Sequence, residues 1–557
     1  MATVLRIIPL GGLGEVGKNM MAIEYGDDIL VIDAGVMFPE NDMLGIDLVI
    51  PDFGYLLDKR ERVRAIIITH GHEDHTGALP YVMKDIAAPI YASKLTRGLV
   101  EVKLKRAKLK QEVVYHTVQS GDSVAIGPFV VEFFQVNHSI PDGLGLAIHT
   151  PAGVIVHSGD FKFDHTPVSG VTTDFAKLAQ LGGDGVLVLM ADSTNTESPG
   201  FTPSERVVED AFDDVFRKAP GRVIVATFAS LISRIQQVIQ CAVRNNRRVA
   251  IVGRSMLDNV RMAEELGYLD IPKRVLVKVS ELSDHAPNEI VIVATGSQGE
   301  PSSALARMAR GEYAGSKSVQ IVPGDTVIIS AQAIPGNEEM VYRTINRLFQ
   351  RGANVVYSDI ARVHVSGHAS QEEQKLLLDL LKPRYFVPIH GELRQLHRHA
   401  QLAREMGIPA DHIFVVENGQ VVEFADGEAH LAERIPGGYV FVDGGGVGDI
   451  GPAVLRDRDS LARDGFVVVV VQVDLKAGRL IGKPQLVSRG FVYQKVAEEL
   501  MEGAKDVIDH EVKTMLGIQG TLSKQQVSDI VVGAVAKYFR DETKRRPMII
   551  PVIVEDE

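Results

Sequence analysis

Thr69-His70-Gly71-His72-Glu73-Asp74-His75 follows directly on the apolar run Ala65-Ile66-Ile67-Ile68 and precedes Thr76-Gly77-Ala78-Leu79. A short apolar run closed by polar residues reads as a buried strand, and the residues after the cluster read as a helix start. Any fold for this chain must therefore end a buried strand in a knot of imidazoles and carboxylates. Such groups are costly to bury without a partner. A divalent cation suits them, because neutral imidazole and carboxylate are ligands of zinc and manganese. The spacing fits two ions. His70 and His72 face one, and Asp74 and His75, a turn further on, face the second. A close pair of ions can share a hydroxide and stabilise the attacking and leaving oxygens of a displacement.

Two coordination shells need more donors, and other strand ends supply them. His138 closes the strand read at 129–136, Asp160 the strand at 154–158, and His390 the short strand at 385–388. Asp160 is the natural bridging carboxylate. Asp33, in VIDAG, also ends a strand and reads as a residue that orients a ligand histidine. His157 and His165 rank lower because neither stands just past a strand end, and His149 has no role. The only cysteine is Cys241. It excludes an intrachain disulfide and a thiolate zinc site.

The texture of the chain changes twice. Up to residue 203 short apolar runs alternate with Gly, Asp and Pro, a strand-rich α/β layer structure. From residue 204 strands alternate with helices, at 223–227, 249–252, 290–294 and 326–330 against 232–245 and 337–351. That pattern suits a parallel sheet covered on both faces. A helix is expected at 95–111. Residues 435–465 are rich in Gly and charge and read as a linker. Strands at 466–475, 480–487 and 548–554, with helices near 494–515 and 523–541, make a small α+β domain.

Gly12-Leu13-Gly14-Glu15-Val16-Gly17-Lys18-Asn19 imitates a nucleotide-binding loop. Such a loop needs a helix directly after it to hold phosphate. The residues that follow, MMAIEYGDDILVIDAG, read as strand, turn and strand. The segment is read instead as a glycine turn on the rim of the site.

The series His70, His72, Asp74, His75, His138, Asp160 resembles the metal ligands of the metallo-β-lactamase fold. Asp192 in LMADSTN, His368 in HVSGHAS and His390 in VPIHGE resemble the downstream motifs of the β-CASP nucleases. LGGLGEVGKN, THGHEDHTGALP, ATFASLISRIQQ, ATGSQGEPSSAL and PRYFVPIHGE are similar to the bacterial ribonuclease J family over nearly the whole chain. The resemblance implies an α/β fold: an αββα sandwich (1–203 and 369–434) with an inserted βα β-CASP domain (204–368). The linker 435–465 and an α+β oligomerisation domain (466–557) would complete it. It implies one metal held by His70, His72 and His138, another by Asp74, His75 and His390, and Asp160 between them. Hydroxide held by the two ions would attack phosphorus, with Asp192 and His368 moving protons or stabilising charge. His364, Val365, Ser366, Gly367 and His368 would form a nucleotide pocket, with Ser230 and Ser233 as partners from the insertion.

The resemblance further implies a ribonuclease that cuts within RNA and degrades it 5′-to-3′ from a 5′-monophosphate end. The cofactors would be two divalent ions, zinc or manganese. Apart from the resemblance, Asp443 stands in the Gly-rich loop FVDGGGVGD, whose free carbonyls suit a structural calcium, with a solvated linker acid as the alternative reading. The formal net charge of −13 argues against binding nucleic acid through bulk positive charge, but not against a locally positive cleft. The expected partners are single-stranded RNA, a second copy in a dimer or tetramer, and proteins of an RNA-decay complex. The first residues lack a signal peptide's pattern, and the longest apolar run is too short to span a membrane, so a cytoplasmic protein is expected. A DNA-directed nuclease and a silent scaffold of a decay complex are the competing readings. The complete ligand set argues against the scaffold.

Overall fold

The computed structural model describes residues 4–313, 317–475, 477, 479–492, 494–519 and 522–555. They divide into two units, residues 1–40 with 48–440 and residues 41–47 with 441–557.

In the first unit two sheets lie face to face. One has eight strands and runs from Glu428–Leu431 through Leu5–Gly11, Met20–Tyr25, Asp28–Ile32 and Val63–Ile68 to Tyr115–Thr117. The other has six, in the order Tyr385–Ile389, Val188–Asp192, Gly153–His157, Leu144–Thr150, Phe129–Gln135, Ser123–Ile126. Ile23, Ile32 and Ile67 from the first sheet meet Phe133, Leu146, Ile155 and Met190 from the second in one core. The outer face of the second sheet is apolar too. Phe134, Val156 and Leu189 pack under Leu178, Leu377 and Ala403 of the helices Phe175–Asp184, Gln371–Leu381 and Leu393–Glu405. Strands buried on both faces read as unbroken apolar runs rather than alternating ones. Ala65–Ile68 is such a run, with all four side chains buried. The result is the αββα sandwich expected from the sequence.

The chain leaves the sandwich after Val188–Asp192 and returns along Tyr385–Ile389, which pairs parallel to it with Asp192 opposite Ile389. Strand pairing alone therefore brings Asp192 beside His390. Between the two lies a five-stranded parallel sheet in the order Arg248–Val252, Ile290–Ala294, Val223–Ala226, Thr326–Ile329, Asn354–Val356. Helices Arg206–Lys218, Ile232–Arg244 and Arg254–Glu265 cover one face. Helices Ala304–Arg310 and Glu338–Gln350 cover the other.

In the second unit Phe466–Asp474 is central, antiparallel to Gln485–Arg489 and parallel to Met548–Glu555. Val467, Val469, Val471 and Val473 point to one face, where the helices Gln494–Gln519 and Lys524–Thr543 lie. Val527, Val531, Val535 and Phe539 recur every four residues and form the buried stripe of the second helix.

Two sequence expectations are corrected. The stretch 435–465 is not a bare linker, because it holds the strand Tyr439–Asp443 and the helix Pro452–Asp464. That helix buries no residue and so lacks an apolar period to read. Pro452 at its first turn and the i,i+4 pair Asp459–Arg463 support it locally. The helix expected at 95–111 spans Lys94–Arg106. Lys108 just beyond it has φ 54°, a left-handed residue that stops helical propagation. Among the described residues no helix is long and apolar enough to cross a membrane.

Candidate metal centre

Each ligand read from the sequence stands just past the carboxyl end of a strand. His70 and His72 follow Val63–Ile68, and the helix Glu73–Thr76 then presents Asp74 and His75. His138, Asp160 and His390 follow Phe129–Gln135, Gly153–His157 and Tyr385–Ile389. These strands end on the same side of the sandwich, so seven side chains separated by up to 320 residues converge.

Asp160 is the shared point. Its Oδ2 lies 3.3 Å from His75 Nε2, 3.6 Å from His70 Nε2, 3.7 Å from His138 Nε2 and 3.7 Å from His390 Nε2. His70, His72, His138 and Asp160 form one group of donor atoms within 4.8 Å of one another, and Asp74, His75, Asp160 and His390 form a second. In the first, His72 Nδ1 is 3.0 Å from His70 Nε2 and 3.1 Å from His138 Nε2. In the second, Asp74 Oδ2 is 3.3 Å from His390 Nε2 and 3.5 Å from His75 Nε2.

The far nitrogens are fixed from behind, which sets each ring's tautomer. His75 Nδ1 donates to Asp33 Oδ2 at 2.8 Å. His138 Nδ1 donates to Gly367 O at 2.8 Å. His390 Nδ1 donates to Thr194 Oγ1 at 2.6 Å, and that hydroxyl donates to Asp192 Oδ1 at 2.7 Å. The Nε2 atoms of all three thus face Asp160, the side on which an ion would replace any proton. Asp33 has the orienting place read for it, and its carboxylate also takes the Thr69 N–H at 2.8 Å. Asp33 and His390 have φ of 61° and 51°, backbone strain of the kind that collects at functional sites.

The electrostatics favour cations. Burial pushes His70 and His138 well below the ordinary imidazole value and His72 to about 4, so their nitrogens stay neutral donors. Burial acts the same way on His390, but Asp160, Asp74 and Asp192 outweigh it and raise that ring to about 9. Asp160 is itself held ionised against burial by His390, His75 and His70. A field that draws protons onto buried imidazoles will draw divalent ions. Donor set, tautomers and field fit a pair of such ions.

Beside this group, His368 Nδ1 donates to Asp192 Oδ2 at 2.7 Å. Burial lowers the His368 pKa, but the Asp192 carboxylate prevails and holds it above the usual value. Ser366 Oγ accepts the His368 N–H at 3.1 Å. Gly367 tolerates no side chain, since a Cβ there would come 2.6 Å from the His138 ring. Burial brings His364 down to about 4, and its buried Nδ1 has no hydrogen-bond partner. Val365 is buried in the same turn. Ser230 and Ser233 flank the start of the helix Ile232–Arg244, half-buried, at the carboxyl edge of the insertion sheet. The next residue, Arg234, donates to Val363 O at 3.0 Å, so this turn abuts the segment 363–368.

Asp443 belongs to the other unit, and its carboxylate is paired with the Arg458 guanidinium at 2.5 Å. Among the described residues no metal-capable group includes it. Of the remaining histidines, His149 pairs with Glu132, His165 stacks on Phe175, and His157 accepts the Gly159 N–H.

Two residues of the site escaped the sequence reading. Asn19 Nδ2 lies 3.1 Å from His75 Nε2 and donates to Asp74 O at 3.1 Å. The buried pair Lys18–Glu15, 2.9 Å apart, pins the glycine turn that carries it. Thr194 is the other. Its only sequence signal is its place two residues after Asp192. Gly35 is essential to the same corner, because a Cβ there would fall 1.6 Å from Asp74 O. Gly35→Ala must push the 70–75 loop away. The expected outcome is loss of bound metal together with a destabilisation of about 1–3 kcal/mol, read by metal analysis and thermal melting.

The comparisons with known proteins agree with this geometry. Residues 13–178 match the model of the metallo-beta-lactamase superfamily, and 220–348 that of the "Ribonuclease J, beta-CASP domain". Residues 353–414 match the "Zn-dependent metallo-hydrolase RNA specificity domain", and 453–556 the "Ribonuclease J C-terminal domain". The chain is 42% identical to ribonuclease J 1 of Streptococcus pyogenes over 98% of its own length and 97% of the relative's. It is 41% identical to ribonuclease J2 of Bacillus subtilis over 99% and 98%. A solved protein of unknown function from Enterococcus faecalis shares the fold at 14% identity, with a TM-score of 0.54 over 76% of this chain and 100% of that one. With these matches covering its length and two donor sets at its sandwich edge, the chain belongs to the bacterial ribonuclease J family, metallo-β-lactamase-fold hydrolases with an inserted β-CASP domain.

Proposed function

We propose that this metal-dependent ribonuclease hydrolyses single-stranded RNA 5′-to-3′ from a 5′-monophosphate end, and also within the chain, in rRNA processing and mRNA decay. The observation that carries the reading is the single oxygen, Asp160 Oδ2, within 3.7 Å of imidazoles from both donor sets. One ion would be held by His70, His72 and His138, the other by Asp74, His75 and His390, with Asp160 common to both. Bound there, zinc or manganese would supply Lewis acidity and a source of hydroxide at neutral pH. The protein does the rest. Asp33, Thr194 and the Gly367 carbonyl hold the rings in register. His368, whose pKa Asp192 raises, faces the same centre and can give a proton to the leaving oxygen or offset its charge. His364, Val365, Ser366 and Gly367, with Ser230 and Ser233 from the adjoining turn, would form the cradle for the 5′ phosphate. The cell context in this reading is cytoplasmic, with a homodimer or tetramer formed through the C-terminal unit and contacts to RNA-decay proteins.

The test compares a 5′-monophosphorylated RNA, the same RNA with a 5′-hydroxyl, and its DNA copy, with manganese or with chelator. Mononucleotide release from the monophosphorylated RNA, stopped by chelator, is expected. Cutting that survives chelation would sink the metal mechanism, and equal cutting of DNA would sink the substrate class.

A further inference from the structure

The segment 363–368 is held from beneath by two buried cations. Arg234 Nη1 donates to Val363 O at 3.0 Å. Lys162 Nζ donates to Ser366 O and to Pro203 O, each at 3.2 Å. Glu205 stands between them, its Oε2 2.5 Å from Arg234 Nη2 and its Oε1 3.8 Å from Lys162 Nζ. The side chains of Arg234, Lys162 and Glu205 are 0%, 1% and 7% exposed. Arg234 also reaches Gln237 Oε1 at 2.9 Å and the hydroxyl of Ser330, which in turn donates to Val363 O at 2.7 Å.

These residues come from three parts of the chain. Lys162 lies two residues past Asp160. Glu205 directly precedes the helix Arg206–Lys218, at the entry to the insertion. Arg234 sits one turn after Ser230. Ions buried this deeply contribute little net stability, and apolar replacements often serve the fold as well. What charged side chains add is direction, because each guanidinium or ammonium proton fixes one carbonyl in place.

We propose that Glu205, clamping Lys162 and Arg234, positions the 363–368 segment and thereby sets the preference for a 5′-phosphorylated end. The inference rests on the 5′-end reading above and adds the residues that govern it. Lys162 also has the buried Asp164 Oδ2 at 4.0 Å, but Glu205 is the carboxylate that faces both cations; without its charge Arg234 loses its ion pair, the two cations are no longer held together, and the carbonyls of Val363 and Ser366 move with them. The N–H groups and the Ser366 hydroxyl that would receive phosphate then lose their register. The same cations, after burial itself, disfavour a charge on His364. That keeps the ring a neutral hydrogen-bonding group.

The experiment uses the full-length protein loaded with manganese. kcat and KM are measured for one RNA carrying a 5′-monophosphate or a 5′-hydroxyl, in the wild type and in Glu205→Gln, which keeps shape but not charge. The ratio of the two kcat/KM values is expected to drop about tenfold in the variant, mostly through KM for the monophosphate, since a small misplacement of binding groups is that costly. Glu205→Asp, which restores the charge, should recover part of the ratio. General destabilisation would lower both rates together and leave the ratio alone. An unchanged ratio in a Gln variant that melts with the wild type overturns the proposal. If that variant does not fold, Lys162→Gln, which removes the ammonium from the Ser366 carbonyl, takes its place, and an unchanged ratio there overturns the proposal. A wild-type enzyme indifferent to the 5′ end overturns the 5′-end reading itself.

Discussion

Asp160→Asn is expected to lower turnover on RNA by about 10³-fold and to strip bound metal from the protein. The carboxylate is the one negative charge on which four imidazole Nε2 atoms converge, at 3.3 to 3.7 Å. An amide of the same shape keeps the packing and removes that charge. It also turns one of the two oxygens into a donor, which cannot ligate. The remaining acid of the two sets, Asp74, is more exposed and contacts only the second set. Elemental analysis of the purified variant and steady-state rates on 5′-monophosphorylated RNA check the result. A variant that keeps its metals and works within tenfold of the wild type would contradict the bridging role.

His368→Ala is expected to cost about 10²–10³-fold in kcat on RNA while the metal content stays at the wild-type level. The ring is not part of either ligand set around Asp160. Its Nδ1 is committed to Asp192 at 2.7 Å, which leaves Nε2 as the proton-bearing face. A diester whose leaving group is p-nitrophenolate needs no proton on departure, so the same variant should lose far less on it. Equal losses on both substrates would remove the proton-transfer role and leave His368 only a charge-stabilising one.

The candidate ligands were legible because His70, His138, Asp160 and His390 lie within three residues of the end of an apolar run, with His72, Asp74 and His75 in the loop and turn after His70, and burial makes such runs visible. The sandwich was legible for the same reason. Ala65–Ile68 is apolar at every position because both faces are covered. The parallel sheet of the insertion showed in its strand–helix alternation. What the sequence hid depends on contacts between distant segments. Asn19 looked like part of a failed nucleotide loop, and only the meeting of its turn with residues 74 and 75 gives it a place at the site. Thr194 and the Lys162–Glu205–Arg234 clamp are ordinary polar residues until the return strand pairs with Val188–Asp192. Asp443 belongs to the other unit, and its partner Arg458 stands on a helix too polar to recognise in the sequence.

The most direct test of the account is diffraction from crystals grown with manganese, with anomalous differences used to place the ions. Two peaks are expected, one against His70, His72 and His138 and one against Asp74, His75 and His390, both in contact with Asp160. A single peak, or two that leave Asp160 or His390 uncoordinated, would contradict it.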